Sequence, residues 1–432
     1  MQRIERNFCI ALAVLGWSVG SAWAQLKPPP AIPGTAPTLT LTEVFNAAWQ
    51  RQPEARSLQA RQDAAAARKE AAASWTAEPV ALELSGQTDQ LNNNLGRREY
   101  TAAVAIPLWL PNERSRSMAV AEAEQRATAS STLLAQLQTA AEVRDAYWSW
   151  QSARIGFALA RERLLNAQQL TADVSRRVRA GDLARADQHQ AEGAQAGAEA
   201  ELAEAASALA AAGQRLRALS GLTLPVDSTA QPDALPAEPV PEPARDAAAL
   251  GDRHPAVVEL LNRAEIARKS AELAQARTRA TPELMLATSR DRGVSGENYQ
   301  QSVTVGVRIP FGSDSRNRAS IASAQAQAIE AETQLALEQD RIQATLDSVR
   351  VRLESARTQL TAAERRAQLA RESRVFFEKS FRAGETDLPT RLRIELEAIA
   401  AERQAARSRV ELAATISALR QALGLLPQQN TP

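Results

Sequence analysis

The sequence predicts a mainly α fold with a pair of transmembrane β-hairpins, built from one unit written twice. Three observations predict it. The motif RAGD at residues 179–182 recurs as RAGE at residues 382–385, 203 positions later. Apolar and small residues recur every seven positions through two long stretches, the spacing of a helix seam. Short runs of strict alternation, the period of a strand, precede each of those stretches. Composition agrees. Aromatic residues are 4% and 51 Lys+Arg face 50 Asp+Glu, which suits long helices packed along their length better than a bulky compact core.

The duplication extends beyond the opening motif. Ala218-Leu219-Ser220-Gly221-Leu222 recurs as Gln421-Ala422-Leu423-Gly424-Leu425, and Val104-Ala105-Ile106-Pro107 as Val307-Arg308-Ile309-Pro310. Arg51-Gln52-Pro53 recurs as Arg253-His254-Pro255. The offsets are all 202 or 203, and such order-preserving similarity marks an internal repeat. The expected organisation is a signal peptide at 1–24, an extended N-terminal segment at 25–37, repeat 1 at 38–225, a Pro-rich linker at 226–246, repeat 2 at 247–427 and a tail at 428–432. Arg3 and Arg6, the apolar run at 8–19 and Ala22-Trp23-Ala24 carry the signal-peptide reading. The only cysteine, Cys9, lies inside that segment and not at its cleavage point. The mature chain is therefore expected to lack disulfides, thiolate chemistry and a lipid on an N-terminal Cys.

Within repeat 1, residues 39–75 read as helix with an interruption at Pro53, starting where Thr42 precedes Glu43, Val44 and Phe45. A β-hairpin is expected at 79–108, where Val80, Leu82 and Leu84 alternate with polar or small residues and Tyr100, Ala102, Val104 and Ile106 do the same. DQLNNNLGRR joins the two strands as a polar loop. The matching hairpin of repeat 2 is expected at 282–310. Trp109 follows the second strand, at the place where an aromatic interface belt falls. Long helical hairpins are expected at 113–221 and 315–424. In the first, Trp150, Phe157, Leu164, Thr171 and Val178 form one seven-residue row, and Ala146, Ala153, Ala160, Ala167 and Val174 form the other. Leu353, Leu360, Ala367 and Phe381 repeat the first row, with Arg374 breaking it; Val349, Ala356, Ala363, Ala370 and Phe377 repeat the second. Gly181 and Gly384 supply the left-handed residue that ends a helix, and Arg179 and Arg382 suit the negative end of its dipole.

These lengths set the function class. A helix of about 66 residues is roughly 100 Å long at 1.5 Å per residue, too long for a compact domain of this mass. Four amphipathic strands cannot close a barrel that hides its edges from lipid, so copies must combine. Three copies would make twelve strands, a size that membrane barrels adopt. No segment after residue 24 offers 18 consecutive apolar residues, so no helix is expected to span a bilayer. A net charge of +1 gives no reason to expect nucleic acid.

The two-fold repeat, the strand pairs ending in IP, the long heptad helices, the G-turns and the terminal ALxGL segments resemble the TolC-like outer membrane efflux protein family. The resemblance implies a homotrimer: a 12-stranded β-barrel in the outer membrane, in contact with its lipid, continuing into an α-helical barrel through the periplasm. It implies docking with a periplasmic adaptor (membrane fusion) protein and an inner-membrane, proton-driven pump. FRAGETDLPTRLR at 381–393 resembles members of the heavy-metal (cobalt-zinc-cadmium or copper) branch. Drug or polypeptide export on the same fold, and a secreted coiled-coil scaffold without a pore, are the alternatives.

Candidate residues follow. Arg179, Gly181, Asp182, Arg382, Gly384 and Glu385 would sit at the periplasmic tip and either contact the adaptor or serve as helix stops. Asp187 matches the family's pore-narrowing tip acids, with Asp387 a second candidate; repeat 2 has Thr390 at the position of Asp187, so a ring would hold three acids. The plain alternative is that these acids stabilise helix starts. His189 and His254 are the only histidines and no Cys assists them, so no metal site is expected. No nucleotide loop or catalytic set is present, so no enzyme, no cofactor and a passive duct are expected.

Overall fold

The computed structural model describes residues 39–224, 235, 237–241, 253–312 and 314–428. The signal peptide, the N-terminal segment, most of the linker and residues 429–432 lie outside the described residues.

Helix α1 spans Leu41–Arg51 and α2 spans Pro53–Ala73. Thr40, not Thr42, begins α1. Its hydroxyl accepts the Glu43 N–H at 3.3 Å, and the Glu43 carboxylate accepts the Thr40 N–H at 2.8 Å. Only the T-x-x-E spacing allows both bonds at once, so Thr42 falls inside the helix. Extended backbone at Gln52 separates α1 from α2, as Pro53 requires of the residue before it.

The strands are β1 (Ala81–Thr88), β2 (Arg98–Pro107), β3 (Glu283–Arg292) and β4 (Gln300–Arg308). They form one antiparallel sheet in the order β1-β2-β3-β4. The two hairpins are thus one ribbon. β2 pairs with β3 from Arg98 opposite Arg292 to Pro107 opposite Glu283. β1 and β4 are its outer strands.

Two long helices carry the rest. α3 (Glu113–Ala180) has 68 residues and returns through α4 (Arg185–Ser220). After α5 (Pro255–Ala276), α6 (Asp314–Arg382) has 69 residues and returns through α7 (Leu388–Ala422). At 1.5 Å per residue α3 and α6 are each roughly 100 Å long. Their sevenfold rows face the return helices. Ala146, Ala160 and Val174 are fully buried in α3, and Val349, Ala356 and Ala363 are buried in α6. Small residues in one row let the return helix come close, and larger ones in the other fill the gap. Arg374, the break in the second set, is held by Glu395 at 3.7 Å and Glu402 at 3.6 Å on α7.

The largest core lies midway along the helices. The apolar face of α1 (Leu41, Val44, Phe45 and Ala48) packs on Val143, Tyr147 and Trp150 of α3, with Leu216 of α4 and Val410 and Ala413 of α7. Tyr147 is fully buried, and burial pushes its phenol up to about 12. Its hydroxyl donates to the Leu39 carbonyl at 3.1 Å and accepts from the Gln151 amide at 2.9 Å. The Trp148 indole N–H donates to Ser417 at 2.9 Å, tying α3 to α7.

Beside this core the linker is anchored. Glu238 is buried and accepts from Arg144 Nε at 3.0 Å and Nη2 at 2.8 Å, and from Arg420 Nε at 3.1 Å. Arg144 also reaches the Leu425 carbonyl at 3.1 Å, and Arg420 the Pro239 carbonyl at 3.2 Å. One carboxylate from the segment between the repeats thus bridges a guanidinium from each repeat. Truncating one partner of such a group leaves buried charge uncompensated. Glu238→Ala is expected to lower stability by about 3–5 kcal/mol, read from the urea midpoint of the purified protein.

Candidate functional site

Three features bear on function: the faces of the ribbon, the tips of the helical hairpins, and the way the two tips meet.

The register sorts the ribbon into unlike faces, because residues directly opposite in an antiparallel pair share a face. One face carries Leu82, Val104, Leu286 and Val305 in one row and Ile106, Leu284 and Val307 in the next. The other carries Glu83, Ala103, Ala287 and Thr304, then Ser85, Thr101, Ser289 and Ser302. The Leu, Ile and Val side chains of the paired strands therefore all lie on one side, and the other side is small, polar or charged apart from Met285. The apolar face is uncovered: Leu84 is 72% exposed, Val303 75% and Val305 67%. A soluble sheet would bury such a face against a second layer. Among the described residues no helix is long and apolar enough to cross a membrane.

At the helix-bearing end of the ribbon the exposed aromatics are Trp75, 79% exposed, and Phe311, 84% exposed. Trp109 is half-buried there, and its indole N–H donates to the Ser74 carbonyl at 3.2 Å. It fastens the second strand to the end of α2. Sequence reasoning chose Trp109 by its place after the strand; exposure, which no local pattern reveals, singles out Trp75 and Phe311.

Both RAG motifs close a helix with the same pair of bonds. The Gly181 N–H donates to the Val178 carbonyl at 3.1 Å and the Asp182 N–H to that of Arg177 at 2.9 Å. In the second copy the Gly384 N–H donates to Phe381 at 3.1 Å and the Glu385 N–H to Ser380 at 3.0 Å. Gly181 at φ +90 and Gly384 at φ +80 are left-handed, which side chains resist. Arg179, Asp182, Arg382 and Glu385 are exposed around these turns.

The tip acids occupy complementary places. Asp187 stands in the first turn of α4, and its carboxylate accepts the Ala184 N–H at 3.0 Å. Asp387 is itself the cap of α7 and accepts the Thr390 N–H at 3.2 Å. Ala184 is equivalent to Asp387, and Asp187 to Thr390. Each copy thus keeps one half of a capping box, which explains why the acids do not align. Asp187 is half-buried and Asp387 exposed.

The tips are brought together by contacts that sequence reasoning missed. Phe381 and Leu388 of the second copy pack with Leu170, Val174 and Ala191 of the first. The buried Phe381 ring is approached by the guanidinium of Arg177, 5.0 Å from its centroid, and by that of Arg391, at 4.7 Å. Arg177 also donates to the Phe381 carbonyl at 3.2 Å. The available signal was the seventh-residue row, in which Phe381 is bulkier than its counterpart Val178. The histidines serve elsewhere. His254 caps α5, its Nδ1 accepting the Ala256 N–H at 3.2 Å, and burial lowers its pKa. His189 is exposed, 3.7 Å from Glu192. Among the described residues no group of three or more His, Cys, Asp or Glu is placed to hold a metal ion.

The chain is thus a β-ribbon with one bare apolar face, mounted on two helical hairpins about 100 Å long. Residues 44–222 match the family profile described as outer membrane efflux protein. A curated relative, the cobalt-zinc-cadmium resistance protein CzcC of Cupriavidus metallidurans, is 32% identical over 237 residues, 54% of this chain and 55% of that protein. The alignment thus spans about half the length of each. A solved structure of CusC, described in terms of folding and transmembrane channel formation, superposes with TM-score 0.74 at 18% identity, over 89% of this chain and 92% of that one. The open state of the MtrE outer membrane channel of Neisseria gonorrhoeae gives TM-score 0.70 at 16% identity, over 89% of both chains. Residues 44–222 are thus similar to the outer membrane efflux protein family, and the chain as a whole shares the fold of these solved channels.

The cap geometry carries a pH prediction. The Thr390 side chain, as hydrogen-bond partner, holds the Asp387 carboxyl below its ordinary value. A depressed folded pKa makes the cap's contribution fully present above the ordinary carboxylate value and lost as pH falls through the lowered one. Acidification is therefore expected to fray the start of α7, and Asp387→Asn to remove that dependence. Hydrogen exchange at the first turn of α7 checks it; an unchanged exchange profile across the acid range would count against the capping role.

Proposed function

We propose that this protein is the outer membrane channel of a tripartite efflux system: a passive exit duct, assembled as a homotrimer, that carries heavy-metal cations from a periplasmic adaptor and an inner-membrane, proton-driven pump to the exterior. One observation carries the channel reading. The ribbon has an uncovered apolar face, and its two outer strands each have one edge unpaired among the described residues. Lipid satisfies the face, and neighbouring copies satisfy the edges. Three copies supply twelve strands, and the small, polar face then lines the lumen. The cargo reading draws support from the resistance named for CzcC and from the FRAGETDLPTRLR segment.

The tips are the docking end in this reading. Arg179, Gly181, Asp182, Arg382, Gly384 and Glu385 form the surface offered to the adaptor. Asp187, half-buried beside the turn, is the pore-narrowing acid; Asp387 lies on the exposed side of the same end.

Three measurements test this. In outer membrane fractions the protein is expected to migrate as a heat-modifiable, detergent-resistant trimer; a soluble periplasmic monomer would support a scaffold without a pore. A deletion strain is expected to become sensitive to zinc, cobalt, cadmium or copper, whereas sensitivity confined to drugs would remove the metal cargo and leave the duct. At the tip, Asp187→Ala is expected to raise single-channel conductance or weaken block by divalent cations in planar bilayers. No change in either would leave Asp187 with its capping bond alone.

A further inference from the structure

The register that sorts the ribbon's apolar residues also sorts its charges. At the loop end, Arg98 lies opposite Arg292, and Tyr100 opposite Arg290. These four continue the apolar face, just beyond the rows of Ala102 with Thr288 and Val104 with Leu286. Glu99 and Asp291, opposite one another, fall on the small, polar face. The chain alternates Arg-Glu-Tyr in β2 and Arg-Asp-Arg in β3 at this level. Basic and aromatic side chains therefore project outward, and acidic ones inward.

The outward group is organised. Arg290 and Arg292 stack on the Tyr299 ring at 5.0 and 5.1 Å, and the Tyr100 ring lies 6.4 Å from that of Tyr299. Arg292 is steadied by the Gly96 carbonyl at 3.1 Å. Among the described residues none of Arg98, Arg290 and Arg292 pairs with a carboxylate, since the nearest acids along the strands face the other way.

We propose that Arg98, Arg290 and Arg292, with the Tyr100 and Tyr299 rings, form a binding surface for the phosphate groups of a phosphorylated glycolipid in the outer leaflet. This rests on the channel reading, which puts the loop end of the ribbon at the outer surface. Unpaired guanidinium groups on a lipid-facing strand need an anion at that depth. Phosphate matches the planar fork of Arg bidentately, which a solvated counter-ion does not. The tyrosines fit the level where hydrocarbon meets headgroup. Their rings also hold two guanidiniums in place, lowering the entropy lost on binding. The alternation has a second use: it keeps the acids away from lipid phosphates and turns them toward the lumen.

The test uses the purified full-length trimer in detergent, with bis-phosphorylated lipid A or its fully dephosphorylated form added, and bound lipid counted by native mass spectrometry. The wild type is expected to retain the phosphorylated lipid and to retain the dephosphorylated form roughly ten-fold less. Arg98→Gln with Arg290→Gln and Arg292→Gln is expected to erase that preference, while Glu99→Gln with Asp291→Asn leaves it in place. Equal retention of the two lipids by the wild type overturns the proposal without need of any variant. So does an undiminished preference in the arginine variant. Heat-modifiable migration and conductance are scored alongside: a conducting trimer indifferent to phosphate sinks the lipid surface alone, whereas a chain that forms no membrane trimer sinks the channel reading with it.

Discussion

In the proposed channel, backbone hydrogen bonding in a medium without water governs the ribbon. A strand in hydrocarbon must find partners for every N–H and C=O, because each orphaned group costs several kcal/mol. The ribbon meets that demand internally for β2 and β3 and leaves β1 and β4 each half-satisfied. The joining of the two repeats through the β2–β3 pair follows from the same demand. Two separate hairpins would leave four open edges, while one ribbon leaves two, and two edges of opposite hand are what a closed ring of identical copies can use.

The helices answer a different constraint. No compact core can be wrapped around rods about 100 Å long, so their stability is distributed along seams. The seams are Ala-rich, which brings helices close but buries little area per turn. The midpoint core compensates: α1 contributes Leu41, Val44, Phe45 and Ala48 against Tyr147, Trp148 and Trp150, where most of the chain's buried aromatic surface is concentrated. The Arg144–Glu238–Arg420 cluster lies at that same level and draws the linker, the first repeat and the second into one knot. Beyond it, toward the tips, stability rests on small-residue seams, helix caps and the Phe381 contact. A less secured end suits the docking role proposed for the tips.

Much of this was legible from residue order, and the reason is local. A sevenfold row such as Ala146, Ala153 and Ala160 states its own helix, and a Gly at 181 and again at 384 states where the helix must stop. Alternation in residues 82–84 and 303–307 states strand and face together. What escaped depends on residues far apart. Nothing local says that β2 pairs with β3, that Glu238 in a proline-rich stretch is a buried counter-ion, or that Phe381 meets both Arg177 and Arg391. The capping acids show the middle case. Asp187 and Asp387 are each conspicuous near a turn, yet their complementary roles appear only when Ala184 and Thr390 are set beside them. At the ribbon's ends, Trp109 has the right place in the sequence but spends its indole N–H on Ser74, while Trp75 and Phe311 stand free of the surface.

The central claim is that one face of the ribbon meets lipid and the other meets water. The sequence holds a single cysteine, Cys9, so with Cys9→Ser as background, single cysteines at Val303, Thr304 and Val305 of β4 read the two faces directly. With the protein in native membranes, the sites at 303 and 305 should take a label delivered through the lipid and resist a charged, water-borne thiol reagent. The site at 304 should do the reverse. Equal water reactivity at all three positions, or protection of all three from both reagents, would contradict the account.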